Sequence, residues 1–383
     1  MSGPSPVAVR LVVQRQPVDE ELFTELIEQE CVELGSSAQL CWIDDLATAL
    51  DGLDAAADSD RPVVLVPAPD APDLVDLRLG GSKIVRVDLH LRDTDPSPGL
   101  HRHIQGRGIE GVLWALRTLH HGSRWPERLS AYGNDPAQYG ALRLAAPGGS
   151  GERQPVVALL HGGFWRARWQ LDLMDALAVD LAERGIASWN VEYRSPDRHG
   201  WDATVADVRA GVAHLNRLAA ELPIDPGRLA LVGHSAGGQL AVQLAADLND
   251  EARSAALDAP VPVRPRLVVQ LAGLVDLVET HRRDLGNGAV PTALGGTPQD
   301  LPAAYAAASP LSRAPIGVRQ LVVVGRDDGA DLREMSRRYV RAGRSAGDQV
   351  ELLEDKGNHF TVIDPASPIW KQTADTIAVA LAN

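Results

Sequence analysis

The chain is short of the features that would assign it quickly. It has two cysteines, Cys31 and Cys41, in 383 residues. That is too few for a disulfide framework, and they lack metal-site spacing, so both are expected to be reduced and buried. There is no basic excess. The net charge of -14 argues against a nucleic-acid or anionic-membrane partner, because both need a basic face. No apolar run approaches the length of a membrane span. The opening MSGPSPVAVRLVV has no basic segment followed by a long apolar core, so no signal peptide is expected. Together these absences point to the cytoplasm. No internal repeat is found. No Tyr precedes Tyr132 and no Asn precedes Asn134, which matters below.

What is present reads as globular. Hydrophobic residues make up 45% and charged residues 23%, the profile of a soluble protein. The length suits two domains or one large one. Composition breaks in two places. Residues Gly122 to Gly140 are polar and turn-rich, and Pro147 to Pro155 (PGGSGERQP) reads as a hairpin loop. The boundary is therefore set near residue 125, giving a small domain over 1–125 and a larger one over 126–383.

The larger part alternates between short apolar, β-branched runs and longer stretches of helical period. Strands are expected at Val156–Leu160, Ala187–Val191, Leu229–Val232, Leu267–Leu271, Leu321–Val324 and Val350–Leu353. Helices are expected at Leu171–Glu183, Val205–Leu222, Gln239–Leu248 and the Ala-rich Ala303–Ala308. Such alternation implies an α/β fold, a largely parallel sheet with helices on both faces. In such sheets functional residues collect at the carboxyl ends of strands. The first 120 residues look like a smaller α/β domain. It has strands at Val7–Val13, Pro62–Val66 and Ile84–Leu89, and helices around Glu20–Leu34 and Ile109–Leu119.

Chemistry enters with Gly233-His234-Ser235-Ala236-Gly237, which follows a strand and opens a helix. This is the Gly-x-Ser-x-Gly nucleophile elbow. Side chains at the two glycines would collide with neighbouring backbone in so tight a turn. Ser235 is the candidate nucleophile, against the plainer reading of a turn serine. A serine hydroxyl needs a base, and in this arrangement the acid and then the histidine follow in chain order. Only His281 and His359 follow Ser235. His281 sits in an Arg-rich stretch read as surface, so His359, after the strand near QVELLED, is the candidate base. The acid should follow the preceding strand, where Asp327 and Asp328 stand together. Position alone does not choose between them, and one may be expected to cap the helix beginning near Asp331. Acyl transfer also needs pre-aimed donors for the oxyanion. The N–H of Ala236 is one, and Gly162 and Gly163 in Leu159-Leu-His-Gly-Gly-Phe-Trp165 suit the others. Phe164, Trp165 and His234 are candidates for substrate contact. Trp165 reads equally well as core.

These residues resemble the α/β-hydrolase superfamily, and within it the esterase and kynurenine-formamidase-like branch, from about Tyr139 to the C-terminus. His161-Gly162-Gly163-Phe164-Trp165 matches the branch's His-Gly-Gly-x-Trp, and Gly233–Gly237 its Gly-His-Ser-Ala-Gly. The Val-Gly-x-x-Asp pattern puts the acid on Asp328, and His359-Phe360 matches a late His-Phe. The resemblance implies hydrolysis of an ester or small amide through an acyl-enzyme, with no cofactor and no metal. The first domain resembles type II dehydroquinase in Val64-Leu-Val-Pro-Ala-Pro, Ile84-Val-Arg-Val-Asp-Leu-His-Leu-Arg and His101-Arg-His. That likeness implies a flavodoxin-like domain and homo-oligomer assembly. The family's elimination uses a tyrosine and an asparagine from the N-terminal half, and this chain has neither there. The domain is thus expected to be non-catalytic, with His101 and His103 structural or at the surface.

The leading expectation is a carboxylesterase, with an arylformamidase next. Residues 278–315 are expected to form a short lid over the acyl pocket. A prolyl-oligopeptidase-type peptidase would carry a propeller in front, and the first 125 residues show no blade repeat. A non-catalytic binding protein would carry a damaged triad. A fusion with dehydroquinase activity lacks the Tyr and Asn.

Overall fold

A computed structural model describes residues 7–45, 61–69, 81–91, 100–146, 153–250 and 264–382. The chain divides into two compact units, Met1–Pro126 and Glu127–Asn383.

In the first unit β1 (Ala8–Gln14), β2 (Ser37–Ile43), β3 (Val63–Val66), β4 (Gly81–Asp88) and β5 (Leu100–Gln105) form a wholly parallel sheet. Their order, β2-β1-β3-β4-β5, is the flavodoxin-like one. Helix α1 (Glu20–Leu34) follows β1, and α2 (Glu110–Arg124) follows β5. Asp19 starts α1 by accepting the Leu22 N–H at 3.0 Å, and Gly35 ends it in the left-handed region at φ 60°. Phe23 and Ile27 of α1 and Val112 and Leu116 of α2 join a core with Leu11, Val64, Val85 and Ile104. Side chains alternate across a strand, so Arg86, Asp88, His103 and Gln105 share the other face of β4 and β5. They are buried there, with Asp88 accepting from Arg86 at 3.1 Å and lying 2.8 Å from His103 Nε2. Strand β5 was not expected, because its sequence LHRHIQ is polar. Its buried His103 is satisfied by a hydrogen bond to Asp88 of β4. Both thiols are free, but only Cys31 is buried. Cys41 is half-buried, because among the described residues its strand β2 pairs on one side only, with β1.

The second unit holds an eight-stranded sheet. Its elements are β6 (Arg128–Ala131), β7 (Tyr139–Arg143), β8 (Gln154–Leu160), α3 (Asp175–Glu183), β9 (Ala187–Val191), α4 (Trp201–Ala213), β10 (Ile224–His234) and α5 (Ala236–Asn249). There follow β11 (Leu267–Leu271), β12 (Gln320–Gly325), α6 (Ala330–Ser345), β13 (Val350–Asp355) and α7 (Pro368–Leu381). The order is β13-β12-β11-β10-β8-β9-β7-β6, antiparallel only at β6–β7 and β7–β9. The chain leaves β8 toward β9 on one side and returns to β10 on the other. The carboxyl ends of β8 and β10 are thus neighbours at a topological switch point, the place where such sheets bind ligands.

Two expectations change. Residues 147–152 of the expected hairpin loop lie outside the described residues, and the strands flanking it are not partners. β7 is already paired on both edges, by β6 and β9, so β8 cannot join it. The helix expected at Val205–Leu222 starts at Trp201 and divides at His214 into α4 and a short helix, Leu215–Glu221. The 278–315 segment holds short helices at Leu277–Arg282, Ala289–Leu294, Pro302–Ala308 and Pro310–Arg313.

Helix α5 is buried nearly all round, as a central helix must be. In contrast, α6 buries only the stripe of Met335, Ser336, Tyr339, Val340 and Gly343. Among the described residues no helix is long and apolar enough to cross a membrane, and no cluster of His, Cys, Asp or Glu could hold a metal ion.

Candidate active site

The elbow is built by sterics. Ser235 has φ 52° and ψ -117° between the end of β10 and the first residue of α5. A non-glycine residue held there stores roughly 1–3 kcal/mol of strain. Backbone hydrogen bonds over-determine it. The Ser235 N–H donates to Leu271 O at 2.8 Å, and Ser235 O accepts from Gly238 at 3.0 Å and from Leu274 at 3.3 Å. A Cβ on Gly233 would stand 2.0 Å from Gly237 O, and one on Gly237 would stand 2.2 Å from Leu160 O. Neither position admits a side chain. Ala236 opens α5, so its N–H has no helical acceptor, and the helix dipole adds positive potential beside Ser235.

The loop after β8 lies against this elbow. A Cβ on Gly162 would sit 2.8 Å from His234 Nδ1 and 3.0 Å from the Ser235 Cβ. Gly163 has φ 113°, and a Cβ there would strike Trp169 at 2.3 Å. Phe164 and Trp165 follow with φ 52° and 57°. Side chains from the next strand end hold this unusual run. His161 Nε2 lies 3.0 Å from Glu192 Oε1, and its ring stacks on Tyr193 at 4.3 Å. The Tyr193 hydroxyl donates to His161 O at 2.8 Å, and Glu192 Oε2 accepts the Leu171 N–H at 2.9 Å. Arg166 donates to Gly286 O at 2.7 Å, which ties the loop to the 278–315 segment.

The acid and the histidine come from the loops after β12 and β13. Asp328 Oδ2 lies 3.0 Å from His359 Nδ1. Asp327 accepts the Gly357 N–H at 3.1 Å and donates its own N–H to Gly357 O at 2.9 Å. Helix α6 starts after Gly329 with no side-chain cap, so neither aspartate has the capping role. The two loops pass so closely that a Cβ on Gly325 would meet Gly357 O at 2.0 Å. The His359 side chain is 25% exposed and that of Asp328 4%. His281, the other downstream histidine, meets Tyr305 edge-on at 6.5 Å on the Leu277–Arg282 helix.

Two of the three residues expected to touch substrate do something else. Trp165 is 2% exposed, donates from Nε1 to Gln239 Oε1 at 3.2 Å and meets Trp201 edge-on at 5.8 Å. It packs in the core of the second unit. His234 is also 2% exposed, and its Nε2 lies 2.9 Å from His359 O. A carbonyl only accepts, so Nε2 carries the proton, while Nδ1 has no hydrogen-bond partner among the described residues. Burial pushes the His234 pKa down to about 3. Charge on His359 adds to that shift, and the bond to the His359 carbonyl opposes it. His234 is therefore a neutral, buried donor. Phe164 is half-buried and packs on Gly286, where a Cβ would meet its ring at 2.4 Å.

The sequence reading gave no role to Glu192, Tyr193 or Gln239. Glu192 and Tyr193 directly follow β9, so the strand-end rule could have flagged them. Gln239 sits within a helix and carries no such signal. Phe360 is 49% exposed, with its ring edge-on to His359 at 5.7 Å.

Known proteins give a consistent comparison. Residues 142–327, just under half of the chain, match the family model BD-FAE. That stretch includes His161–Trp165 and Gly233–Gly237 and stops short of Asp328 and His359. Carboxylesterase NlhH of Mycobacterium tuberculosis (strain CDC 1551 / Oshkosh) is 38% identical over 99 residues, 25% of this chain and 31% of that protein. The chain thus spans about a third of that relative's length. Esterase LipC of Mycobacterium tuberculosis (strain ATCC 25618 / H37Rv) is 26% identical over 279 residues, 70% of this chain and 67% of that protein. Among solved structures, esterase B from Lactobacillus rhamnosis (HN001) superposes with a TM-score of 0.59 at 18% identity, covering 71% of this chain and 92% of that one. A bacterial heroin esterase gives 0.53 at 23% identity, covering 67% and 83%. Glu127–Asn383 therefore has the α/β-hydrolase fold. Its sequence relatives and its fold neighbours are esterases.

Proposed function

We propose that this chain is a serine carboxylesterase that cleaves a carboxylic ester through Ser235, His359 and Asp328. The observation that carries the reading is the 3.0 Å Asp328–His359 pair, held at the carboxyl end of the sheet whose β10 ends on the strained Ser235. The esterase relatives support the substrate class. In this reading His359 Nε2 takes the hydroxyl proton as Ser235 Oγ attacks the ester carbonyl carbon. Asp328 orients the ring and stabilises the imidazolium. The oxyanion of the tetrahedral intermediate receives the N–H groups of Gly162, Gly163 and Ala236. One such donor contributes about 10²–10³ in rate. When the intermediate collapses, the C–O bond breaks and the alcohol leaves with the proton from His359. Water, deprotonated by the same His359, then attacks the acyl-Ser235 and releases the acid. No cofactor enters any step. The 278–315 segment, tied to the oxyanion loop through Arg166 and Phe164, serves as the lid that borders the acyl pocket.

The test is turnover of short and medium p-nitrophenyl esters beside N-formylkynurenine by the wild type and Ser235→Ala. The wild type should cleave the esters, and the variant should lose roughly 10³- to 10⁶-fold in kcat. Equal turnover by the two proteins removes Ser235 as the nucleophile. Turnover of the formamide alone makes the chain an arylformamidase with the same triad.

A further inference from the structure

His234 precedes Ser235 in the chain and Asp327 precedes Asp328, and neither has a chemical task in the scheme above. Both reach the same short loop. His234 Nε2–H donates to the carbonyl of His359 at 2.9 Å. Asp327 brackets Gly357, accepting its N–H at 3.1 Å and donating to its carbonyl at 2.9 Å. That loop leaves β13, which among the described residues pairs with β12 alone, so the sheet supports it from one side. Gly357 turns it at φ 135°, a conformation that other residues rarely adopt. The Asp328 carboxylate fixes how the His359 ring is rotated, but a ring can be well rotated on a misplaced backbone.

The geometry points to His234 and Asp327 as positioning residues that locate the base: each grips the backbone of the His359 loop from the strand end that also presents the nucleophile or the acid. The inference rests on the triad reading. It explains a feature that reading leaves over, a buried histidine whose only side-chain hydrogen bond among the described residues runs to the base's own carbonyl. A neutral donor suits the task. The rings of His234 and His359 are 4.8 Å apart, so a charged His234 would oppose the imidazolium that forms on His359.

The experiment uses the full chain in four variants. Glutamine places an amide N–H near the reach of Nε2, and asparagine does not. Asp327→Asn keeps an acceptor for Gly357, and Asp327→Ala removes it. Thermal melts confirm folding. His234→Asn and Asp327→Ala should lose about 10- to 100-fold in kcat with KM little changed, the scale of an ångström-level misplacement. His234→Gln and Asp327→Asn should stay close to wild type. Nuclear magnetic resonance gives a readout independent of any substrate. The downfield proton on His359 Nδ1 should be present in the wild type, His234→Gln and Asp327→Asn, and lost in the other two. Wild-type kcat and an intact signal in His234→Asn and Asp327→Ala would overturn the inference, as would His234→Gln failing as badly as His234→Asn. If the wild type turns over no ester, the esterase reading fails, and the proton signal still decides the positioning roles.

Discussion

Each unit of this molecule sets an Asp–His pair near the carboxyl ends of parallel strands. Asp88 and His103 are 2.8 Å apart, and Asp328 and His359 are 3.0 Å apart. Distance does not separate them; surroundings do. Asp88 and His103 sit on paired strands, 3% and 4% exposed, and the same carboxylate takes the Arg86 guanidinium. The Arg86 guanidinium answers the Asp88 charge, and the hydrogen bond to His103 ties the polar faces of β4 and β5 together. Asp328 and His359 lie in loops beyond β12 and β13, with the imidazole partly open and a strained serine at the end of β10 in the same sheet. An Asp–His hydrogen bond is thus a structural device until a nucleophile and access for a substrate are added.

Breaking the two pairs in parallel gives the largest contrast. Asp328→Asn should lower kcat by roughly 10²–10⁴-fold, because the neutral amide no longer fixes the tautomer or supports the imidazolium. Asp88→Asn should leave ester turnover per folded molecule unchanged. It should destabilise the protein by about 3–5 kcal/mol, the cost of removing one partner from a buried pair. Kinetics and denaturant unfolding on both variants read this directly, and loss of turnover in folded Asp88→Asn would give the first unit a part in the reaction.

Acidity sharpens the comparison on a smaller scale. An unfolded histidine protonates near 6.5, whereas His234 in the fold does so only at about 3. Below 6.5 the unfolded chain binds a proton that the native state refuses. Stability is therefore full above that value and is lost as pH falls toward 3, at about 1.4 kcal/mol per pH unit from this one group. Denaturant unfolding at a series of pH values below 6.5 should show the slope, and His234→Gln should reduce it by one proton. An unchanged slope in that variant refutes the assignment.

The smallest effect is expected at Trp165. Trp165→Phe keeps most of the buried ring but leaves Gln239 Oε1 without the indole donor, which costs about 1–3 kcal/mol of stability. Substrate preference should not change. A shift in acyl-chain selectivity would return Trp165 to the pocket wall.

Much of the site was legible because its logic is local. A strand, two glycines around a serine and a helix specify the elbow within a dozen residues, and the steric reason applies wherever the turn occurs. Alternating apolar runs likewise marked β9 and β11 to the residue and the other core strands to within a few positions. Strands β2 and β5 and the β6–β7 hairpin escaped notice, being edge or polar segments whose burial depends on what they pair with. Trp165, which read equally well as pocket wall or core, and His234, expected at the substrate, could not be placed for a related reason. A backbone turned to φ 57°, or a ring aimed at a carbonyl 125 residues onward, leaves no trace in neighbouring letters.

The amino-acid sequence by itself determined the chain order of the proposed nucleophile, acid and base, the glycines around them and the largely parallel α/β plan, since these follow from short-range sterics and hydrophobic period. Only the tertiary structure decided that Asp328 faces His359 while Asp327 grips Gly357. Two adjacent aspartates in a loop are chemically alike, and the packing of the β12 and β13 loops against each other gives them different neighbours.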